Sequence, residues 1–210
     1  MGWLDLAPVL KTEKKGERDL RLYPKCDFLT LYHKMDEEKI GPYDSKMLRK
    51  KWKELLMNWY NINKWTRELA RMRRKQGEEW SDIAKKRAHE LVFKLLLEVK
   101  YVYSEYINLI NMTLPIWQNI MINVFKSINL TKEEVYEIMP QPQVMNLKLL
   151  FRQIFEPVIR VLTDLEQKLV QGEVDVVRMR EYEDMMLLTV LPFFERTYKE
   201  IVKRQKTGVW

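Results

Sequence analysis

The sequence predicts an all-α protein: an extended N-terminal arm, a long basic amphipathic helix, and behind them an antiparallel four-helix-type bundle. Three observations predict this. The 210 residues hold only six Gly and eight Pro against many Leu, Lys, Glu, Met and Arg, a balance that favours helix over strand. Apolar residues recur at helical spacing through the long segments that follow residue 43. Positive charge is gathered in one stretch. Between Asp44 and Lys75 eleven Lys/Arg stand against three acids, a net +8, while the whole chain is +7, so the other 178 residues sum to −1. A hydrophobic content of 46% supplies a real core, and the length suits one substantial domain with an appendage, or two small ones.

Residues 1–43 read as the arm. Pro8, Gly16, Pro24, Gly41 and Pro42 interrupt it, and its apolar groups come in short islands: Trp3-Leu4, Leu20–Tyr23 and Phe28–Tyr32. At most a short helix is expected around Phe28–Glu38. Such a segment either orders against a partner or a neighbouring subunit, or stays a loose tail.

Residues 44–77 read as one basic helix, DSKMLRKKWKELLMNWYNINKWTRELARMRRK and its end, with Asp44 or Ser45 as N-cap and Gly77 as the stop. Leu48, Trp52, Leu55, Trp59, Ile62, Trp65, Leu69 and Met72 form an apolar stripe. At about 100° per residue, Lys46, Arg49, Lys50, Lys53, Lys64, Arg67, Arg71, Arg74 and Lys75 fall opposite it in an arc of about 120°, interrupted by Met57 and Tyr60.

Residues 78–210 read as the bundle. Ile83, Leu91, Leu95, Val99, Val102, Tyr106 and Ile110 line a helix over 82–112, which Thr113 and Pro115 are expected to break or kink. Ile116–Ile128 carries a second, broad apolar face. Thr131-Lys132-Glu133-Glu134 matches a capping box for a short helix to Met139, closed by the Pro140-Gln141-Pro142 turn. A helix over 145–170 is expected to bury Leu149, Leu150, Ile154, Val158, Val161, Leu165 and Leu169 and to bend at Pro157. The last helix, Val174 to Arg204, should kink near Pro192. No fixed-period repeat or low-complexity tract appears.

Catalysis has little support in the residues. His33 and His89 lie far apart, and no glycine-rich phosphate loop, nucleophile elbow or Cys/His metal spacing is present. Cys26 is the single cysteine, so neither an intramolecular disulfide nor a Cys-rich zinc site can form. Glu181-Tyr182-Glu183-Asp184 is an acidic cluster that could hold a cation, but reads better as a solvated helix face. The twelve Met read as core filler rather than a peptide groove. The expectation is a non-enzyme with no cofactor, no metal and no catalytic residue. The N-terminus lacks the pattern of a secretory leader, and Leu114–Leu130 is too short and too polar to span a bilayer.

The basic arc points instead to a polyanion. A nearly acid-free cationic face about 42 Å long approximates one turn of duplex. Lys and Arg recur in it while Asn and Gln lie mostly outside, so the nine cations are expected to contact phosphates rather than bases. Two alternatives use the same helix. Its Trp/Leu side could lie in an anionic headgroup layer, or the arm and helix could mate with another subunit of a helical scaffold.

In this order, an arm, the helix DSKMLRKKWKELLMNWYNINKWTRELARMRRK and a helical bundle resemble the major coat proteins of filamentous viruses of hyperthermophilic archaea, of the lipothrixvirus and rudivirus type. The likeness is one of architecture over the whole chain. A composition rich in Lys, Glu, Ile, Tyr and Met with one Cys suits a thermophile. The resemblance implies that arm and basic helix wrap double-stranded DNA, held in A-form, while the bundle faces outward. It further implies pairing with itself or a paralogous coat protein as a pseudo-symmetric dimer, assembly into a helical filament, and contact with lipid where the filament is enveloped. The protein is then expected in the virion after synthesis in the host cytoplasm, or in the cytoplasm if it is not viral.

Overall fold

The computed structural model describes residues 23, 25–37, 46–77, 79–127 and 144–207. Side chains at 35–37, 46–49, 109–127, 144–148, 150 and several beyond 196 lie outside that description. Its elements are α1 (Phe28–Glu37), α2 (Lys46–Gln76), α3 (Asp82–Ser127), α4 (Val144–Val170), α5 (Val176–Asp184), a π-helical segment (Met185–Val190) and α6 (Leu191–Thr207). No strand occurs among the described residues.

Local chemistry sets the ends. Asp27 caps α1 by accepting from the Thr30 N–H, Ser81 caps α3 by accepting from the Ala84 N–H, and Asp175 caps α5 by accepting from the Arg178 N–H. At the end of α2, Gly77 takes φ +61° and donates to the Arg73 carbonyl. At the end of α4, Gly172 takes φ +79°, and the Glu173 N–H reaches back to the Lys168 carbonyl in a Schellman closure. Both glycines adopt a backbone that a side chain would strain.

The long helices pack side by side, each antiparallel to the next. Lys51 meets Glu105 and Glu68 meets Arg87 between α2 and α3. Tyr106 stacks on Phe151 and His89 meets Glu166 between α3 and α4. Asp164 meets Arg178 between α4 and α5, and Trp52 meets Tyr198 while Arg73 meets Glu183 between α2 and the C-terminal rod. The last rod therefore closes on the first helix. One core fills the interior, and its largest wholly buried side chains are aromatic: Trp52, Trp59, Tyr106, Phe151, Phe155, Phe194 and Tyr198 among them. The Trp59 indole N–H donates to the Tyr106 hydroxyl at 3.0 Å, and that hydroxyl is hydrogen-bonded to Tyr198. Buried polar tips are thus satisfied by one another.

Several expectations are corrected. The basic helix is not a unit apart from the bundle at residue 77: α2 is one of its walls, because the apolar stripe enters the common core. Nor is the whole of 1–43 an arm. Tyr23, Cys26, Phe28 and Leu31 are buried, with Phe28 stacked at 6.0 Å on Trp59 and edge-on at 6.1 Å to Tyr198. The island is short, but a preformed groove between α2 and α6 receives it. α3 runs unbroken through Thr113 and Pro115, since one lost hydrogen bond and a ring clash, about 3 kcal/mol, do not end a helix with long flanks. The expected kink near Pro192 is a π-helical segment: Pro192 has no N–H for the Leu188 carbonyl, the turn before it widens, and the Leu191 N–H bonds five residues back to Met186. α4 is rotated from its expected face: Leu149 is 50% exposed, whereas Phe151, Phe155 and Leu162 point inward. Ile83 is likewise exposed. The short helix proposed for 131–139 and its proline turn lie outside the described residues.

Phe28→Ala should lower the unfolding free energy by about 3–5 kcal/mol, the usual cost of emptying a packed aromatic site. Denaturant titration checks this. A loss below about 1 kcal/mol would mean that the segment before α2 contributes no core.

Candidate nucleic-acid interface

The rotation of α2 about its own axis is fixed by the residues it buries. Trp52, Leu55, Leu56, Trp59, Ile62 and Leu69 are at most 2% exposed, and Trp65 and Met72 pack partly against the same core. With that side inward, the opposite side of a regular helix must face out.

Four of the nine expected contacts stand on that outer side. Lys50, Lys64, Arg71 and Lys75 are exposed. Only Lys50 has an acid nearby, Glu54 at 3.9 Å on the same helix; no ion-pair partner is found for the other three among the described residues. An exposed pair at that distance is worth little and is readily exchanged for another anion. From Lys50 to Lys75 the line is about 37 Å long at 1.5 Å per residue.

Three of the nine are drawn in. α1 lies antiparallel along one edge of the arc, with Lys53 5.8 Å from the Tyr32 ring centre and the Asn63 amide donating to the Cys26 carbonyl at 3.2 Å. Beside it Arg67 donates from Nε to the Asn63 side-chain oxygen at 3.0 Å and is half-buried, and burial lowers its pKa. Arg74, at the edge of the arc, turns to Glu183 at 3.7 Å and lies 5.9 Å from the Tyr23 ring centre. Its role as a phosphate contact is therefore displaced by an internal one. Lys46 and Arg49 are on the helix, and their side chains lie outside the described residues.

Lys51 and Arg73, which fall outside the arc, show the converse. They sit on the apolar side, where an uncompensated charge would be costly. Lys51 meets Glu105 at 2.7 Å, and Arg73 donates from Nε and Nη2 to the Glu183 carboxylate at 3.1 and 3.0 Å. Glu183 is 2% exposed. Around it the Tyr23 hydroxyl donates to Asp184 at 3.1 Å, and Thr66 and Tyr182 share a hydrogen bond of 2.8 Å. The expected solvated face at Glu181–Asp184 is thus half wrong: Glu181 faces water, while Tyr182, Glu183 and Asp184 are buried. Their partners come from residues more than a hundred positions away. The available signal was Arg73 itself, a cation in the middle of an apolar stripe, which requires an acid from another helix.

The described residues contain no group of three or more His, Cys, Asp or Glu able to hold a metal ion, and none of their helices is long and apolar enough to cross a membrane. A small recess beside Thr66, Ala70, Arg73 and Tyr182 has no room for even a water-sized probe. The arrangement offers a charged outer line, not a reaction centre. Compared with protein-family models, curated proteins and solved structures, the chain matches none.

Burial raises the pKa of Tyr23, with the nearby Glu183 and Asp184 charges adding to it; burial likewise raises Tyr182, Tyr106 and Tyr198. A folded-state pKa above the unfolded value means that stability is complete below pH of about 10 and is lost as pH rises beyond it. Phenolate absorbance should therefore rise cooperatively with loss of helicity above that pH. Smooth ionisation of all ten tyrosines with the fold intact would contradict this burial.

Proposed function

We propose that this protein coats double-stranded DNA without reading its sequence, holding phosphates along the outer line of α2. One observation carries the reading. A net +8 is concentrated in one helix of a chain that is otherwise near neutral, and Lys50, Lys64, Arg71 and Lys75 stand exposed along about 37 Å of it. Non-specific coating requires many phosphate contacts along a continuous face and no base-reading code, and this line meets both conditions. Compared with the nine residues expected from the sequence, the contact set narrows to these four together with Lys46 and Arg49.

The rest of the chain suits a coat subunit. A four-helix-type bundle backs the basic helix as a stiff outward body, the residues ahead of Tyr23 form an arm toward neighbours, and copies assemble with one another or with a related chain into a helical filament, the virion of the viruses that this layout resembles. No catalytic role is assigned. The lipid-surface alternative has less support, because it needs the Trp side of α2 in the headgroups, and Trp52 and Trp59 are core residues.

Replacing Lys64, Arg71 and Lys75 together by Glu tests the assignment. Affinity for a random-sequence duplex should fall by at least about tenfold, through loss of three phosphate contacts and the repulsion that replaces them, with thermal unfolding unchanged. A triple variant that bound duplex as tightly as the parent would overturn the proposal.

A further inference from the structure

The helices of this fold differ in length, and the difference leaves one of them without neighbours at one end. Lys51 lies opposite Glu105, so Lys46, the first residue of α2, is level with about residue 110 of α3. Phe151 lies opposite Tyr106, so Val144, the first residue of α4, is level with about residue 113. Tyr198 lies opposite Trp52, so α6 ends at Thr207 within about one turn of the start of α2. α3 continues to Ser127. Its last fourteen residues, 114–127, therefore run about 21 Å beyond the level at which the other helices stop, and no described helix runs beside them.

That overhang is apolar by sequence. Ile116, Trp117, Ile120, Met121, Val124 and Phe125 recur at helical spacing over half the circumference, and Lys126 is the single charged residue of the fourteen. A stretch with one charge is no site for a polyanion. At about 21 Å, with Gln118, Asn119 and Asn123 along it, it also falls short of the roughly 30 Å of hydrocarbon that a membrane span must cross. Exposed apolar surface continues from its base: Leu149 in the second turn of α4 is exposed, as are Phe93, Leu97 and Tyr101 on the outer side of α3.

We propose that two copies of this chain pair through their α3 overhangs, packed antiparallel about a twofold axis near residues 120 and 121. A second copy supplies the same apolar stretch, of the same length, at the same concentration. Antiparallel packing of two identical helices closes on itself and leaves no adhesive face over. The area is adequate in kind: a stable interface buries about 800 Å² per partner, and Trp117 with Phe125 bring about 300–500 Å² of it. The pairing deepens the self-association in the coat reading by naming its surface, and it involves none of the α2 cations. The dimer would place two α2 lines on one particle and so double its grip on a polyanion.

The test uses the full chain without nucleic acid. Light scattering at tens of micromolar should give a dimer, or an assembly built of dimers. The double substitution Ile120→Glu with Val124→Glu should give a monomer with the parent's helical circular dichroism. As a measure that survives a folding defect in that variant, the Cys26→Ser chain carrying Ile120→Cys should be joined into covalent dimers by a short bismaleimide. A monomeric parent, a dimer unchanged by the double substitution, or no cross-link at position 120 in a dimeric chain would each overturn the pairing. Duplex binding is measured separately, so a failure here leaves the DNA reading standing, and a failure to bind DNA leaves the dimer standing.

Discussion

Everything in this fold is referred to the indole of Trp59. It stacks on Phe194 of α6 at 4.4 Å, meets Phe28 ahead of α2 and Phe155 of α4 at 6.0 Å each, and donates its N–H to Tyr106 of α3. One side chain from α2 thus touches every other long element. Aromatic side chains bury 150–250 Å² each, so this contact set is a large part of the core. Its consequence reaches the surface. With Trp59 and Trp52 fixed inward, α2 has no rotational freedom, and the line Lys50–Lys64–Arg71–Lys75 is aimed at solvent by a packing decision made on the other side of the helix.

Charge on α2 is sorted by the same geometry. Cations that the helical twist carries into the interior, Lys51 and Arg73, are matched by Glu105 and Glu183 from neighbouring helices, and Arg74 is recruited to the second of these. Burying such pairs gains little net stability, yet removing one partner leaves a stranded charge and costs several kcal/mol. The pairs therefore act mainly on specificity: they fix which helices adjoin which end of α2. Tyr23, Thr66 and Tyr182 complete the polar layer there. At the opposite edge α1 occupies part of the arc, and a cationic face that looks 120° wide in projection is narrower in the folded protein.

Much of this was legible in the sequence where one physical signal dominated. α2 starts and stops within two residues of its expected limits because a long amphipathic pattern ends on a glycine in the left-handed region. α4 is found over Val144–Val170 for the same reason, and the small α1 matches the Phe28–Tyr32 island with its charged tail. What could not be read was set by partners distant in sequence. Phe28 is core only because α2 and α6 form its groove. Glu183 and Asp184 look like surface acids until Arg73 and Tyr23 arrive opposite them. On α4 the apolar set is wide enough for two rotations, and the aromatic cluster around Trp59 selects the one that turns Phe151 and Phe155 inward and Leu149 out. Of the candidate site, the helix and its outer side were readable; which cations α1 and Glu183 would claim was not.

The most direct measurement is the affinity for a random-sequence duplex across a salt series, with an unrelated duplex sequence in parallel. Each phosphate neutralised contributes about −0.9 to the slope of log affinity against log salt. The four open cations give a slope of about −4, and Lys46 with Arg49 would bring it to about −5, with little difference between the two sequences. A flat salt response, or affinity that depends on sequence more than on salt, would contradict the claim that the outer line of α2 is a phosphate-binding surface.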